Sequence, residues 1–163
     1  MRAKVYIETT IVSLLTGRSS RDLRMAAMQQ ATMQWWSQQR AKYELFTSEL
    51  VITEAQMGDD DAARKRLAVL NELPLLDVND EAQKLAEKLI ADGGVPEQAG
   101  ADALHIAIAA VHNTQFLLTW NCRHIDNAVR KPAIREICAV GGFRCPEICT
   151  PLEFMPEGED HAE

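Results

Sequence analysis

The 163-residue chain has the length of one domain. Its 47% hydrophobic and 25% charged residues are ordinary globular composition, which excludes a disordered chain and permits a core that needs no disulfide or metal staple. The net charge of −7 is unevenly spread: residues 1–42 carry seven Lys/Arg against two acids, residues 43–155 carry ten against eighteen, and residues 156–163 carry four acids with no Lys or Arg.

A uniformly acidic surface would repel a phosphate backbone. A basic first third beside an acidic body is compatible with a polyanion held next to a cation-loaded acidic site, and simple patchiness is the blander reading. No apolar run approaches the roughly 20 residues that span a bilayer. The opening Met1-Arg2-Ala3-Lys4-Val5-Tyr6-Ile7-Glu8 lacks a signal-peptide core, so a soluble, cytoplasmic protein is expected. Cys122, Cys138, Cys145 and Cys149 are then expected to be reduced. The Cys-x3-Cys spacing of the last two has no second pair, which argues against zinc.

In chain order, Val5-Tyr6-Ile7 reads as a short strand ending at Glu8, and a short helix follows to Leu15, stopped at Gly17. Ser19-Ser20 is expected to cap a long helix over 21–42, with Met28, Ala31 and Trp35 on one face. Residues 43–47 form a second strand. Ser48 caps a helix carrying Glu54, and Asp59-Asp60-Asp61 opens another that runs to Leu73 before Pro74. Residues 75–78 are a third strand. Asn79 or Asp80 caps a helix ending near Gly93-Gly94, and a further helix is expected over 97–113. Residues 116–119 are a fourth strand, a helix covers 132–140, and a last strand lies near Ile148. Alternating strands and helices predict a three-layer α/β/α sandwich with a mostly parallel central sheet. One domain over 1–155 is expected, with an acidic disordered tail over 156–163.

Such sheets bind ligands beyond the carboxyl ends of their strands. Glu8 and Asn121 fall at two such ends. On the helix after Gly100, Asp102 and His105 are the only polar residues between 101 and 111. A helix this apolar is buried, and its carboxylate must cap, pair or bind a cation. Glu54 lies one to two turns into its own helix; alone it reads as a solvated face. His105 and His112 read as packing or surface residues, His124 as a turn residue that could touch a phosphate, and Cys122 as a small buried one. Three carboxylates and an amide oxygen converging on one cleft would repel each other unless a hard divalent cation joined them, and magnesium suits an all-oxygen set. There is no Gly-x-Gly-x-x-Gly, Walker-type loop or Gly-x-Ser-x-Gly elbow.

Four segments together resemble the PIN-domain family. They are Tyr6-Ile7-Glu8-Thr9-Thr10, Ser48 to Glu54, Ala101-Asp102-Ala103-Leu104-His105-Ile106-Ala107, and Leu117 to Ile125 with Thr119-Trp120-Asn121 at its centre. The likeness covers about residues 3–154 and is greatest to the VapC-like branch, the toxin halves of toxin–antitoxin pairs. It implies an Mg2+- or Mn2+-dependent endoribonuclease acting on single-stranded RNA, frequently a homodimer, with a cognate antitoxin. It maps the family's four polar positions to Glu8, Glu54, Asp102 and Asn121. Glu8 and Asp102 would be the main metal ligands, Glu54 and Asn121 would hold waters (Asn121 completing the metal set), and Thr9 and Thr10 would support them. Arg18, Arg21, Arg24 and Arg123 are the candidates for phosphate contacts. The first position is usually Asp and the fourth often Asp, so Glu8 and Asn121 favour a single-metal site. Two alternatives remain: a catalytically weak PIN-like interaction protein, and a small-nucleotide-binding Rossmann-like module.

Overall fold

The computed structural model describes residues 1–156; the rest of the expected tail, 157–163, lies outside the described residues. Five strands alternate with seven helices. β1 (Lys4–Ile7) is followed by α1 (Thr9–Thr16) and α2 (Leu23–Gln38), then β2 (Glu44–Ser48) by α3 (Glu49–Ala55) and α4 (Asp60–Leu70). β3 (Leu75–Leu76) leads to α5 (Asp80–Ala91) and α6 (Gly100–Val111), β4 (Phe116–Leu118) to α7 (Lys131–Val140), and β5 (Glu147–Cys149) closes the sheet.

The strand order is β3-β2-β1-β4-β5, and all four pairings are parallel. The chain steps outward from β1 to β3 in one direction, then crosses back to β4 and β5. Right-handed crossovers therefore put α1–α4 on one face and α5–α7 on the other. The helix packing agrees, with α1 against α2, α3 and α4, and α5 against α6 and α7. The order reverses between β1 and β4, so the crevice beyond their carboxyl ends is the expected ligand site.

Val5, Tyr6 and Ile7 of β1 and Leu117 and Leu118 of β4 are fully buried, as strands covered by helices on both faces require. Side-chain caps fix several helix starts: Asp22 accepts from Met25 N, Ser48 from Val51 N, Asp59 from Ala62 N and Asn79 from Ala82 N. Three helices are shorter than the sequence implied: α4 ends at Leu70 rather than Leu73, and two others differ more. The 21–42 helix starts after Asp22 because that carboxylate caps it, while the Ser20 hydroxyl accepts from Asp22 N instead. It ends at Gln38, and a short 3-10 turn covers Arg40–Lys42. The 97–113 helix begins only at Gly100, because Gly94 N and Val95 N fold back onto Leu89 O at 2.8 and 3.0 Å and hold that stretch against the end of α5. Gly93 has φ +81°, the left-handed turn that ends α5, and a Cβ on Gly94 would stand 2.9 Å from Ile137 Cδ1 on α7. No helix among the described residues is long and apolar enough to cross a membrane.

Leu117 lies on β4 between β1 and β5, at 0% exposure. Leu117→Ala is expected to lower unfolding free energy by about 2–5 kcal/mol through lost burial and an unfilled cavity, read from urea denaturation.

Candidate functional site

Glu8 is the first residue after β1, so the parallel pairing with β4 sets it beside Thr119, the first residue after that strand. It caps α1, accepting from Thr10 N, and is only 4% exposed. Oε1 accepts the hydroxyls of Thr10 and, at 2.6 Å, Thr119. Thr10 Oγ1 in turn accepts Trp120 N at 2.8 Å, and Thr119 Oγ1 accepts Asn121 N at 2.9 Å. Two threonines thus stitch the ends of the central strands together around one buried carboxylate.

Glu54 comes from α3, which Ser48 starts at the end of β2. Its Oε1 accepts the Thr9 hydroxyl at 2.5 Å and lies 2.7 Å from His105 Nε2. Burial pushes the Glu54 carboxyl up, but the hydrogen bond from His105, the attraction of that ring's charge when it is protonated and the hydrogen bond from Thr9 outweigh it and hold the group below its ordinary value. The side chain is 30% exposed, and both of these bonds fall on Oε1. Ligand atoms of Glu8, Glu54 and His105 all lie within 4.8 Å of one another. Among the described residues, neither carboxylate pairs with Lys or Arg. Two carboxylates this close, with no Lys or Arg paired to either, make an acidic pocket that a divalent cation nearby would stabilise.

His105 was expected to be a packing or surface residue; it is fully buried, and what the sequence did not foresee is its bond to Glu54. The signal was present, because His105 follows Asp102 by three residues, on the same face of an otherwise apolar helix. Tyr6 and Ser48 join it underneath: the Tyr6 hydroxyl is 2.8 Å from His105 Nδ1 and 2.8 Å from Ser48 Oγ. Burial drives the Tyr6 hydroxyl far above its usual pKa, so it stays protonated.

Asp102 lies in the first turn of α6, one turn before His105, and outside the close Glu8–Glu54–His105 group. It is not the helix cap. Its Oδ2 lies 3.0 Å from His124 Nδ1, the partner that a carboxylate on an apolar helix needs. Asn121 Oδ1 accepts His124 N at 3.0 Å, fixing the turn after β4. That turn forms one wall of an open groove of about 640 Å3, lined by Gln98, Arg123, His124, Asn127 and Arg130 with no carboxylate. Arg18, by contrast, stands beyond the far end of α1, roughly 12 Å of helix from Glu8, and borders a separate cavity with Asp61, Arg64 and Lys65. Arg21 and Arg24 flank Asp22 at the exposed start of α2. His112 is a surface residue whose Nε2 meets Asp77 O at 2.7 Å. Cys122, expected to be buried, is exposed because it sits on the turn itself, and all four cysteines are free.

The PIN domain family model matches residues 5–128. Two crystal structures share the fold at low sequence identity. The Mycobacterium tuberculosis VapC20, a sarcin-ricin loop cleaving toxin, aligns with TM-score 0.53 and 16% identity over 69% of this chain and 86% of its own. VapBC2 from Rickettsia felis, bound to a DNA fragment from its promoter, aligns with TM-score 0.56 and 13% identity over 90% of this chain and 98% of its own. No curated protein matches the chain significantly.

Because the folded-state pKa of Glu54 is depressed, its ionisation stabilises the fold above the ordinary glutamate pKa of about 4.3, and this contribution is lost as pH falls through the lower folded value. Urea unfolding of the wild type and Glu54→Gln, in chelator, should show a gap that is steady at neutral pH and shrinks below about pH 4.

Proposed function

Because the chain belongs to the PIN-domain family, we propose that it is a metal-dependent endoribonuclease of the VapC-like kind, the toxin of a toxin–antitoxin pair. The observation that carries the reading is the meeting of Glu8 and Glu54, from elements far apart in the chain, with no Lys or Arg paired to either among the described residues. The likeness to VapC20 and VapBC2 supports the branch and, with it, a protein antitoxin as partner. A homodimer in the cytoplasm is part of the same reading.

In this proposal Glu8 and Asp102 hold an Mg2+ or Mn2+ ion, with the amide oxygen of Asn121 completing the set. When bound, such an ion offsets phosphoryl charge and acidifies water. Thr10 and Thr119 fix Glu8 for this task, and Thr9 fixes Glu54. Glu54 Oε1 is taken by two donors, so Oε2 is the atom that accepts the proton of the attacking water. His124 holds Asp102 from the groove side. Arg123, with Arg130 beside it, receives a neighbouring phosphate of single-stranded RNA, and Arg18, Arg21 and Arg24 meet the strand farther out.

Asp102→Asn is expected to abolish Mg2+- or Mn2+-dependent cleavage of a single-stranded RNA while stability stays equal or rises, because the amide keeps a partner for His124 and sheds charge. Cleavage at the wild-type rate in that variant overturns the scheme. Absence of both cleavage and metal-binding heat in the wild type would instead favour an interaction protein. Arg123→Ala should weaken RNA binding evenly across sequences and flatten log K against log salt by about 0.7, the value for one phosphate contact on a single strand, measured by fluorescence anisotropy.

A further inference from the structure

His105 brings a ring nitrogen close to the acidic pair, and at first sight it is a third metal ligand. The hydrogen bonds around it say otherwise. Tyr6, Ser48 and His105 are each at 0% exposure, so their donors must find partners within the protein. Glu54 is a carboxylate and can only accept, which puts a proton on His105 Nε2, 2.7 Å away. At the other end, the Val51 amide donates to Ser48 Oγ at 3.4 Å, leaving the Ser48 hydroxyl proton to be placed. Its partner is Tyr6 at 2.8 Å. Tyr6 then donates onward to His105 Nδ1, also at 2.8 Å, which must be bare to accept. Reversing the chain, with a doubly protonated ring donating to Tyr6 and Tyr6 to Ser48, leaves the Ser48 proton without an acceptor in a buried site.

We infer that His105 is a neutral positioning residue rather than a metal ligand: a one-way chain of donors, Val51 to Ser48 to Tyr6 to His105, fixes its Nε2–H tautomer and aims that proton at Glu54 Oε1. Both ring nitrogens are spent, so the pocket presents oxygen alone to a cation, the donor set that suits magnesium or manganese over zinc. The ring also pins Glu54 so that Oε2 faces the pocket. This last consequence rests on the nuclease reading; the tautomer does not.

Long-range 1H–15N NMR of the 15N-labelled full chain near pH 7.5, without metal, tests the tautomer, with His105→Gln supplying the assignment by loss of its signals. The expected spectrum has a protonated Nε2 and a bare Nδ1 that persist when Mg2+ is added; an Nδ1–H ring, a doubly protonated ring or loss of the Nε2 proton on adding Mg2+ overturns the inference. Tyr6→Phe removes the donor to Nδ1 while Glu54 still holds the proton on Nε2, so the Nε2–H form should persist with the bare Nδ1 resonance shifted downfield; an Nδ1 resonance unmoved from the wild type would sink the relay. In single-turnover RNA cleavage, His105→Leu should lose about 10–100-fold in kcat with KM unchanged, the usual cost of removing such a supporting bond. His105→Gln, which can carry an N–H to the same place, should recover part of that loss, and equal rates in all three proteins would overturn the positioning role. A wild type that never cleaves RNA defeats the nuclease reading while leaving the NMR result to decide the tautomer.

Discussion

Two negative charges held close together, with no lysine or arginine paired to either among the described residues, are the constraint around which this molecule is organised. Each carboxylate alone would cost several kcal/mol to bury. The chain offsets that cost with hydroxyls: Thr10 and Thr119 on Glu8, Thr9 on Glu54, and a buried histidine behind it. Hydroxyl donors stabilise a carboxylate without cancelling its charge. An ammonium group in the same place would satisfy the acids and leave nothing for a cation to do.

The sheet order makes this arrangement possible. Because the strand sequence reverses between β1 and β4, the residues that follow those strands open into a crevice, while the helices diverge to opposite faces. Glu54 and His105 reach the crevice from opposite layers, one from α3 and one from α6. The contact between them therefore spans the two halves of the sandwich, and Tyr6 on the central strand links both to the sheet.

Much of this was legible in the sequence. The alternation of strands and helices, the caps at Ser48, Asp59 and Asn79, and the strand-end position of Glu8 all follow from local rules that the tertiary structure leaves intact. Asp102 was legible as a carboxylate needing a partner, although its partner, His124, belongs to a turn that no periodicity reveals. His105 was misread because one histidine on an apolar helix has the same local pattern whether it packs or bonds, and the deciding neighbours lie 51 and 99 residues away. Tyr6 was hidden for the opposite reason: an aromatic in a buried strand needs no explanation until its hydroxyl is placed. The start of α6 was missed because Gly94 and Val95 bond backward to α5, a choice that turn composition alone does not disclose.

The bond from Thr119 to Glu8 joins residues 111 apart. At typical synthesis rates of about 5–20 residues per second, a nascent chain spends roughly 6–22 s with its first strand finished and the neighbour that completes the pocket still unmade. Through that interval Glu8 has no Thr119, and for most of it Glu54 has no His105, so the buried carboxylates gain their full set of partners only after most of the chain has been made.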